Sequence, residues 1–310
     1  MKQKLEPKPN LIYGIILTVI AYFCFSITSA CVKALNNNIP TIEIIFMQNV
    51  ISIICLAPFF FKKGAHSLKT KFYWIHLVRD ISVLLNYLFF FLAIRYVNLI
   101  DATVLTYTAP FYIPIIWKFW MKESVAKDVW WAIIIGFVGI AFILRPTPGI
   151  LEKYSFLGIL AGIAGAFSLV AIRILNKKKE LLFRTSFYAY MLAILITLPF
   201  AMFSWKSPSM LEWLFLIGVG VTTAIAQLLL TTAYKHGTAS FLSPISYTTI
   251  IFTLLISWMI FGMPPGWMSI IGTILIIFGG VLSYIFKRKP KSIWRLFTHY
   301  KTKKLPKIKD

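Results

Sequence analysis

Arg79 and Asp80 stand side by side inside an apolar run, about seven residues or about 10 Å from its polar edge. A charge in hydrocarbon costs about 2.5–3.5 kcal/mol on insertion scales, so such groups are kept where they pair, line water or meet a substrate. The pair can line a vestibule, attract an anionic group or carry a coupling proton. Arg79 shares a helical stripe with Asn86, and Asp80 shares one with Tyr87. Adjacent residues on a helix do not face each other, so the two charges are expected to find separate partners. Lys33 and Glu43 flank a short polar turn and are expected to close it as an ion pair, or to serve as an outer gate. Arg95 and Asp101 bracket a second such turn, as surface charges or part of that gate. Glu123, among Lys118, Lys122 and Lys127, reads as structural.

Polar and aromatic residues midway along apolar runs are the better candidates for a substrate pocket. They are Asn86, Tyr107, Thr108, Tyr112, Gln227, Thr231, Ser243, Tyr247 and Thr248. Tyrosine rings stack on apolar or cationic surfaces while their hydroxyls bond polar groups. Pro110 and Pro244 each free a backbone carbonyl nearby, which a membrane tolerates where a cavity or a neighbour satisfies it. The gating or coupling candidates are Lys33, Glu43, Arg79 and Asp80. No catalytic residue, metal site or cofactor is expected. His66, His76, His236 and His299 are scattered singly, and Cys24, Cys31 and Cys55 lie within apolar runs. No HExxH, Walker A or GxSxG pattern occurs.

The elements that position these residues follow from composition. Of 310 residues, 59% are hydrophobic and only 14% charged. A soluble domain averages about 25% charged, so this chain cannot cover a water-facing surface. About 20 apolar residues cross the hydrocarbon. Ten candidate spans result, at about 12–33, 40–61, 72–94, 102–121, 129–145, 155–175, 184–203, 210–233, 239–261 and 266–286. The expected fold is an all-α integral membrane protein. Its parts are a leader (1–11), a first five-helix repeat (12–145), a second (155–286) and a basic tail (287–310).

The formal charge of +22 suggests nucleic acid until the charges are placed. Lys62, Lys63, Lys69 and Lys71, then Lys177, Lys178 and Lys179, then the tail, all fall on one side of the span pattern. By the positive-inside rule that side is cytoplasmic, as are both termini, and no nucleic-acid partner is expected. The tail can touch anionic membrane lipid.

Sliding the chain on itself by 140 residues places Ala93-Ile94-Arg95 on Ala233-Tyr234-Lys235 and Tyr107-Thr108 on Tyr247-Thr248. Five spans per half put the halves in opposite orientations, an inverted-repeat plan with its site at the repeat interface.

These features resemble the drug/metabolite transporter superfamily, in particular its EamA-type members with ten helices. The resemblance rests on Ala-Ile-Arg-Tyr (93–96) and Ala-Tyr-Lys-His (233–236), each followed by a proline-bearing helix, and on Trp-Met-Lys-Glu123-Ser closing the first of these. Met263 stands where the family often repeats the glutamate, and Gln48 where many relatives carry an arginine. The resemblance implies a secondary transporter of the inner membrane for a small metabolite, amino-acid-like or S-adenosylmethionine-like. The alternatives are a polytopic enzyme acting on lipid, which needs an acid, base or metal cluster on the loops, and a membrane sensor or scaffold, which needs a larger extramembrane domain.

Overall fold

The computed structural model describes residues 10–35, 38–61, 69–121, 127–144, 154–178, 180–236 and 242–288. Among these residues every regular element is a helix. The first group is α1 (Leu11–Leu35), α2 (Thr41–Phe61), α3 (Tyr73–Tyr96), α4 (Leu99–Thr106), α5 (Ala109–Met121) and α6 (Lys127–Leu144). The second is α7 (Ser155–Lys177), α8 (Leu182–Phe203), α9 (Met210–His236), a 3-10 turn (Ser243–Tyr247), α10 (Thr248–Phe261) and α11 (Trp267–Arg288).

Among the described residues seven helical stretches are long and apolar enough to cross a membrane, counting α4 and α5 as one. Three further stretches, Ile133–Ile143, Ile245–Phe261 and Trp267–Leu282, are apolar but shorter. The chain is an integral membrane protein. Its outer surface carries large bare hydrophobes such as Phe203, Met210 and Trp258, which suit lipid and not water.

One expected span is broken. Residues 102–121 do not form a single helix, because α4 stops at Thr106 and α5 begins at Ala109. Pro110 explains the break: it has no N–H to donate, and its ring collides with the carbonyl of Thr106, four residues back. The second half repeats the device, with Pro244 inside the 3-10 turn that precedes α10. Tyr107 and Tyr247 therefore both sit at the edge of irregular backbone.

Packing pairs the first group of helices with the second. α1 runs along α9 and α3 along α7, and exchanging the halves maps one pair onto the other. α2 packs on α8, and α6 packs on α11. Glycines set the closest approaches. A Cβ on Gly139 of α6 meets the Gly272 carbonyl at 2.8 Å, and one on Gly272 of α11 meets the Gly139 carbonyl at 2.7 Å. On α7, a face of small residues, Gly158, Gly162 and Ala166, accepts α4. A Cβ at Gly158 meets Leu105 at 2.7 Å, and one at Gly162 meets Thr108 Oγ1 at 2.7 Å.

Candidate functional site

Tyrosines from several helices gather in the middle of the bundle. Tyr22 of α1 meets Tyr107, at the end of α4, edge-on with ring centroids 6.4 Å apart. Tyr107 in turn lies beside Tyr87 of α3 and Thr249 of α10. Tyr87 neighbours Gln48 of α2 and Arg79 of its own helix, and Tyr190 of α8 lies near both Tyr87 and Arg79. Helical side chains lean back toward the N-terminus, so the Tyr87 hydroxyl leans toward Arg79. Tyr87 and Tyr107 are deep in the bundle yet only half-buried, so their free surface borders space between the helices.

A polar ladder flanks these rings. Gln48 Nε2 donates to Thr223 Oγ1 at 3.2 Å. Thr28 Oγ1 lies 2.6 Å from Thr222 Oγ1 and 3.5 Å from Thr223 Oγ1. Ser52 donates to the Gly220 carbonyl at 2.9 Å. These bonds tie α1 and α2 to α9. Gln48 Oε1 is buried and accepts no hydrogen bond.

The sequence-derived pocket residues divide by what they touch. Asn86 is half-buried and donates Nδ2 to the Ala161 carbonyl of α7 at 2.8 Å. Gln227 donates Nε2 to Ser186 Oγ of α8 at 2.9 Å. Thr108, Thr231 and Thr248 donate to nearby backbone carbonyls, those of Leu105, Gln227 and Ile245. Tyr112 is buried edge-on to Phe137, with ring centroids 5.9 Å apart. Tyr247 is buried over Gly280, where an added Cβ would collide with its hydroxyl. The side chain of Ser243 and the whole of Glu123 lie outside the described residues. Of this set, Tyr107 borders the internal space among the tyrosines, whereas Asn86 and Gln227 join helices. Tyr22, Tyr87, Tyr190 and Gln48 were not among the sequence candidates. Their signals were polarity midway along a span, the stripe that Tyr87 shares with Asp80, and the position of Gln48 where many relatives carry an arginine.

The charged candidates depart from three expectations. Arg79 and Asp80 do not find separate partners: Arg79 Nη1 donates to Asp80 Oδ1 at 3.1 Å and to the Thr185 carbonyl of α8 at 2.9 Å. The arginine side chain is long enough to curl around its own helix, which the rule for neighbouring positions does not consider. Lys33 and Glu43 form no ion pair. Lys33 Nζ donates to the carbonyls of Ile94 at 2.7 Å and Val97 at 3.1 Å, supplying donors that the C-terminal end of α3 lacks. Glu43 turns instead to the α8–α9 connection, where Oε2 accepts the Lys206 backbone N–H at 3.0 Å. Asp101 is buried in the first turn of α4 rather than lying on the surface.

At the opposite end of α3, His76 Nε2 lies 3.3 Å from Glu180 Oε1, which also pairs with Arg184. Burial works to raise the Glu180 carboxyl, but its bonds to Arg184, Thr70 and His76 outweigh that and hold it below the ordinary glutamate value. Among the described residues no group of three His, Cys, Asp or Glu side chains is placed to hold a metal ion.

A family model described as the EamA-like transporter family matches the chain twice, over residues 12–145 and 153–285. The chain belongs to that family and is a membrane transporter. Among curated relatives it is 27% identical over 85% of its length to the pseudopaline exporter of Pseudomonas aeruginosa, covering 93% of that protein. It is 25% identical over 84% of its length to the S-adenosylmethionine uptake transporter of Rickettsia felis, covering 90% of that protein. It is 28% identical over 84% of its length to a riboflavin transporter of Vibrio cholerae, covering 89% of that protein. A solved crystal structure of 17% sequence identity matches with a TM-score of 0.57 over 90% of this chain and 97% of that one, a likeness of fold alone.

Proposed function

We propose that this protein carries a small metabolite across the cytoplasmic membrane by alternating access, through the internal space that Tyr22, Tyr87 and Tyr107 border. The observation that carries this reading is the convergence of tyrosines from α1, α3 and α4 on one interior space, with the polar ladder of α2 and α9 beside it. Aromatic walls with a few fixed polar groups suit an amphipathic solute. The named relatives export or take up pseudopaline, S-adenosylmethionine and riboflavin. An amino-acid-like or S-adenosylmethionine-like metabolite fits this setting. The substrate site would draw on Asn86, Tyr107, Thr108, Tyr112, Gln227, Thr231, Ser243, Tyr247 and Thr248 around the tyrosines named above.

In this reading the spans form ten transmembrane helices, as two inverted repeats over 12–145 and 155–286. The exchange of α1–α9 with α3–α7, and the irregular backbone beside each of Tyr107 and Tyr247, support that symmetry. The lysine-rich connections lie in the cytoplasm and draw membrane lipid only at their surface through charge. Glu43 on Lys206 then belongs to an outer closure, and Lys33 on the end of α3 braces α1 against α3 beside it. The contacts of Arg79 with the Thr185 carbonyl and of His76 with Glu180 belong to an inner one, with Asp80 orienting Arg79. Rocking one half against the other breaks one set while the other holds. Energy comes from exchange or a gradient, and the protein performs no catalysis.

Competition for uptake tests the substrate assignment. Cells expressing the protein take up labelled S-adenosylmethionine, and unlabelled S-adenosylmethionine, amino acids and riboflavin are added in excess. Competition by the first two classes supports the proposal. Competition by riboflavin alone replaces the substrate class.

A further inference from the structure

We propose that a one-turn shift of a glycine between the two halves decides which of two equivalent tyrosines serves the substrate. This rests on reading the tyrosine-bordered space as the transport site, and it names the residues that hold Tyr107 there. In the 140-residue frame Tyr107 corresponds to Tyr247, Phe111 to Ile251, Gly136 to Ile276 and Ile140 to Gly280. Glycine followed four residues later by isoleucine on α6 thus becomes isoleucine followed by glycine on α11. Residues four apart lie one above the other on a helix face, so the notch left by the missing side chain moves by one turn.

An aromatic ring fills each notch, and the ring changes with the notch. A Cβ built on Gly136 falls into the ring of Phe111, which belongs to α5. One built on Gly280 falls on the hydroxyl and ring of Tyr247. If the first half followed the second, Tyr107 would lie over position 140. Ile140 stands there instead, buried in the same apolar cluster as Phe111 and Tyr247. Its side chain occupies the place that a ring needs, and a packed interior has no spare volume to yield. In the second half the relation is inverted. Ile276 is buried at the position equivalent to Gly136, and Ile251, the equivalent of Phe111, is exposed.

Tyr107 is therefore the ring without a notch. It stays half-buried and meets Tyr22 edge-on at the interior space. The Tyr247 hydroxyl, by contrast, is buried and has no hydrogen-bond partner. An unpaired buried hydroxyl is unfavourable, so the fit of the ring over Gly280, and not polarity, sets the place of Tyr247. From the same tyrosine in each half, the exchange of glycine with isoleucine gives one to packing and the other to the site. Ile140 and Gly280 are positioning residues, and the Tyr107 contact with the substrate has no counterpart from Tyr247.

Nitration and uptake test this in the full-length protein. Tetranitromethane nitrates tyrosine rings that small solutes reach, and mass spectrometry of proteolytic fragments reports each site. In the unaltered protein Tyr107 should be nitrated severalfold faster than Tyr247. Ile140→Gly opens a notch for Tyr107 and should slow its nitration severalfold. The same variant should raise the concentration of labelled S-adenosylmethionine or methionine needed for half-maximal uptake about as much as Tyr107→Ala does, with little change in maximal rate. The two effects should not add, so the double variant should match Tyr107→Ala. Ile140→Ala, which costs the helix less than glycine, should act in the same direction. Ile276→Gly removes the same side chain from the second half and should leave Tyr107 nitration and affinity unchanged. Equal nitration of Tyr107 and Tyr247 in the unaltered protein overturns the proposal, as does undiminished nitration of Tyr107 in both Ile140 variants. The expected nitration pattern without uptake of either compound upholds the placement of Tyr107 and overturns the transport reading instead.

Discussion

Tyr22 and Tyr107 meet edge-on, 6.4 Å between centroids, although they belong to helices that are far apart in sequence. Their contact brings α1 to the point where α4 breaks, and it places two aromatic edges on the same interior space. Replacing either ring by alanine should weaken apparent substrate affinity about tenfold, near the upper end of what one aromatic contact contributes. Tyr107→Phe should retain most of the affinity if the ring matters more than the hydroxyl. Concentration-dependent uptake, normalised to protein in the membrane, measures this. Unchanged affinity in both alanine variants would show that the rings only pack.

Tyr247 provides the contrast. It lies at the equivalent position of the second half, but its hydroxyl is buried over Gly280. Tyr247→Ala should lower stability by about 3–5 kcal/mol, as for other buried aromatic rings, and should change affinity less than Tyr107→Ala. Thermal unfolding in detergent, set beside uptake by the same variants, separates the two effects. A larger loss of affinity at Tyr247 than at Tyr107 would reverse the roles given to them.

Gly139 and Gly272 let the backbones of α6 and α11 approach closely. Alanine at either position meets the opposing carbonyl within 2.8 Å, and only movement of a whole helix relieves that. Gly139→Leu and Gly272→Leu should each yield less monodisperse protein by size-exclusion chromatography, with lower thermal midpoints. At Gly262 an added Cβ meets nothing within 4 Å, but the backbone is left-handed, so a substitution there acts through conformation instead.

Lys33 seals the end of α3 through the carbonyls of Ile94 and Val97. Lys33→Met removes the donors while keeping much of the side-chain bulk. If this contact is part of an outer closure, the variant should spend more time open to the outside. With Cys24, Cys31 and Cys55 replaced, a cysteine at Thr28 should then react severalfold faster with a membrane-impermeant thiol reagent. An unchanged rate would limit Lys33 to capping.

Glu180 gives a pH test. Its folded carboxyl lies below the ordinary value because Arg184, Thr70 and His76 outweigh the effect of burial. A depressed carboxyl contributes stability above its unfolded value, about 4.3, and loses it as pH falls through the lower folded value. Glu180→Gln should therefore be less stable than the unaltered protein at pH 7.5, and the gap should narrow below about pH 4. A gap that persists unchanged in acid would mean that the side chain acts by packing alone.

The helical membrane fold was legible because apolar length and charge segregation are properties of the chain itself. The break at Tyr107-Thr108 was half legible: Pro110 announced a freed carbonyl, but 102–121 reads as one apolar span, so apolar length hid the position of the break. The ladder from Gln48 through Thr223 to Thr28 was not legible, since a threonine in an apolar helix looks the same whether it bonds its own turn or another helix. Thr231 does the first and Thr28 does both. The Lys33–Glu43 pairing failed because nearness across a turn was weighed, while the unsatisfied carbonyls at the end of α3 were not. Asn86 and Gln227 stand out in the sequence as polar groups midway along spans, but sequence does not reveal that Ala161 and Ser186 already hold their amides.

The most direct measurement of the central claim is flux in proteoliposomes containing only this protein. Vesicles are loaded with unlabelled S-adenosylmethionine or methionine, diluted into the corresponding labelled compound, and compared with empty vesicles and with vesicles holding Tyr107→Ala protein. The account predicts labelled solute accumulating in exchange for the internal pool, and a higher concentration needed for half-maximal flux with Tyr107→Ala. Flux no greater than in empty vesicles for either compound, or identical concentration dependence in the two proteins, would contradict it.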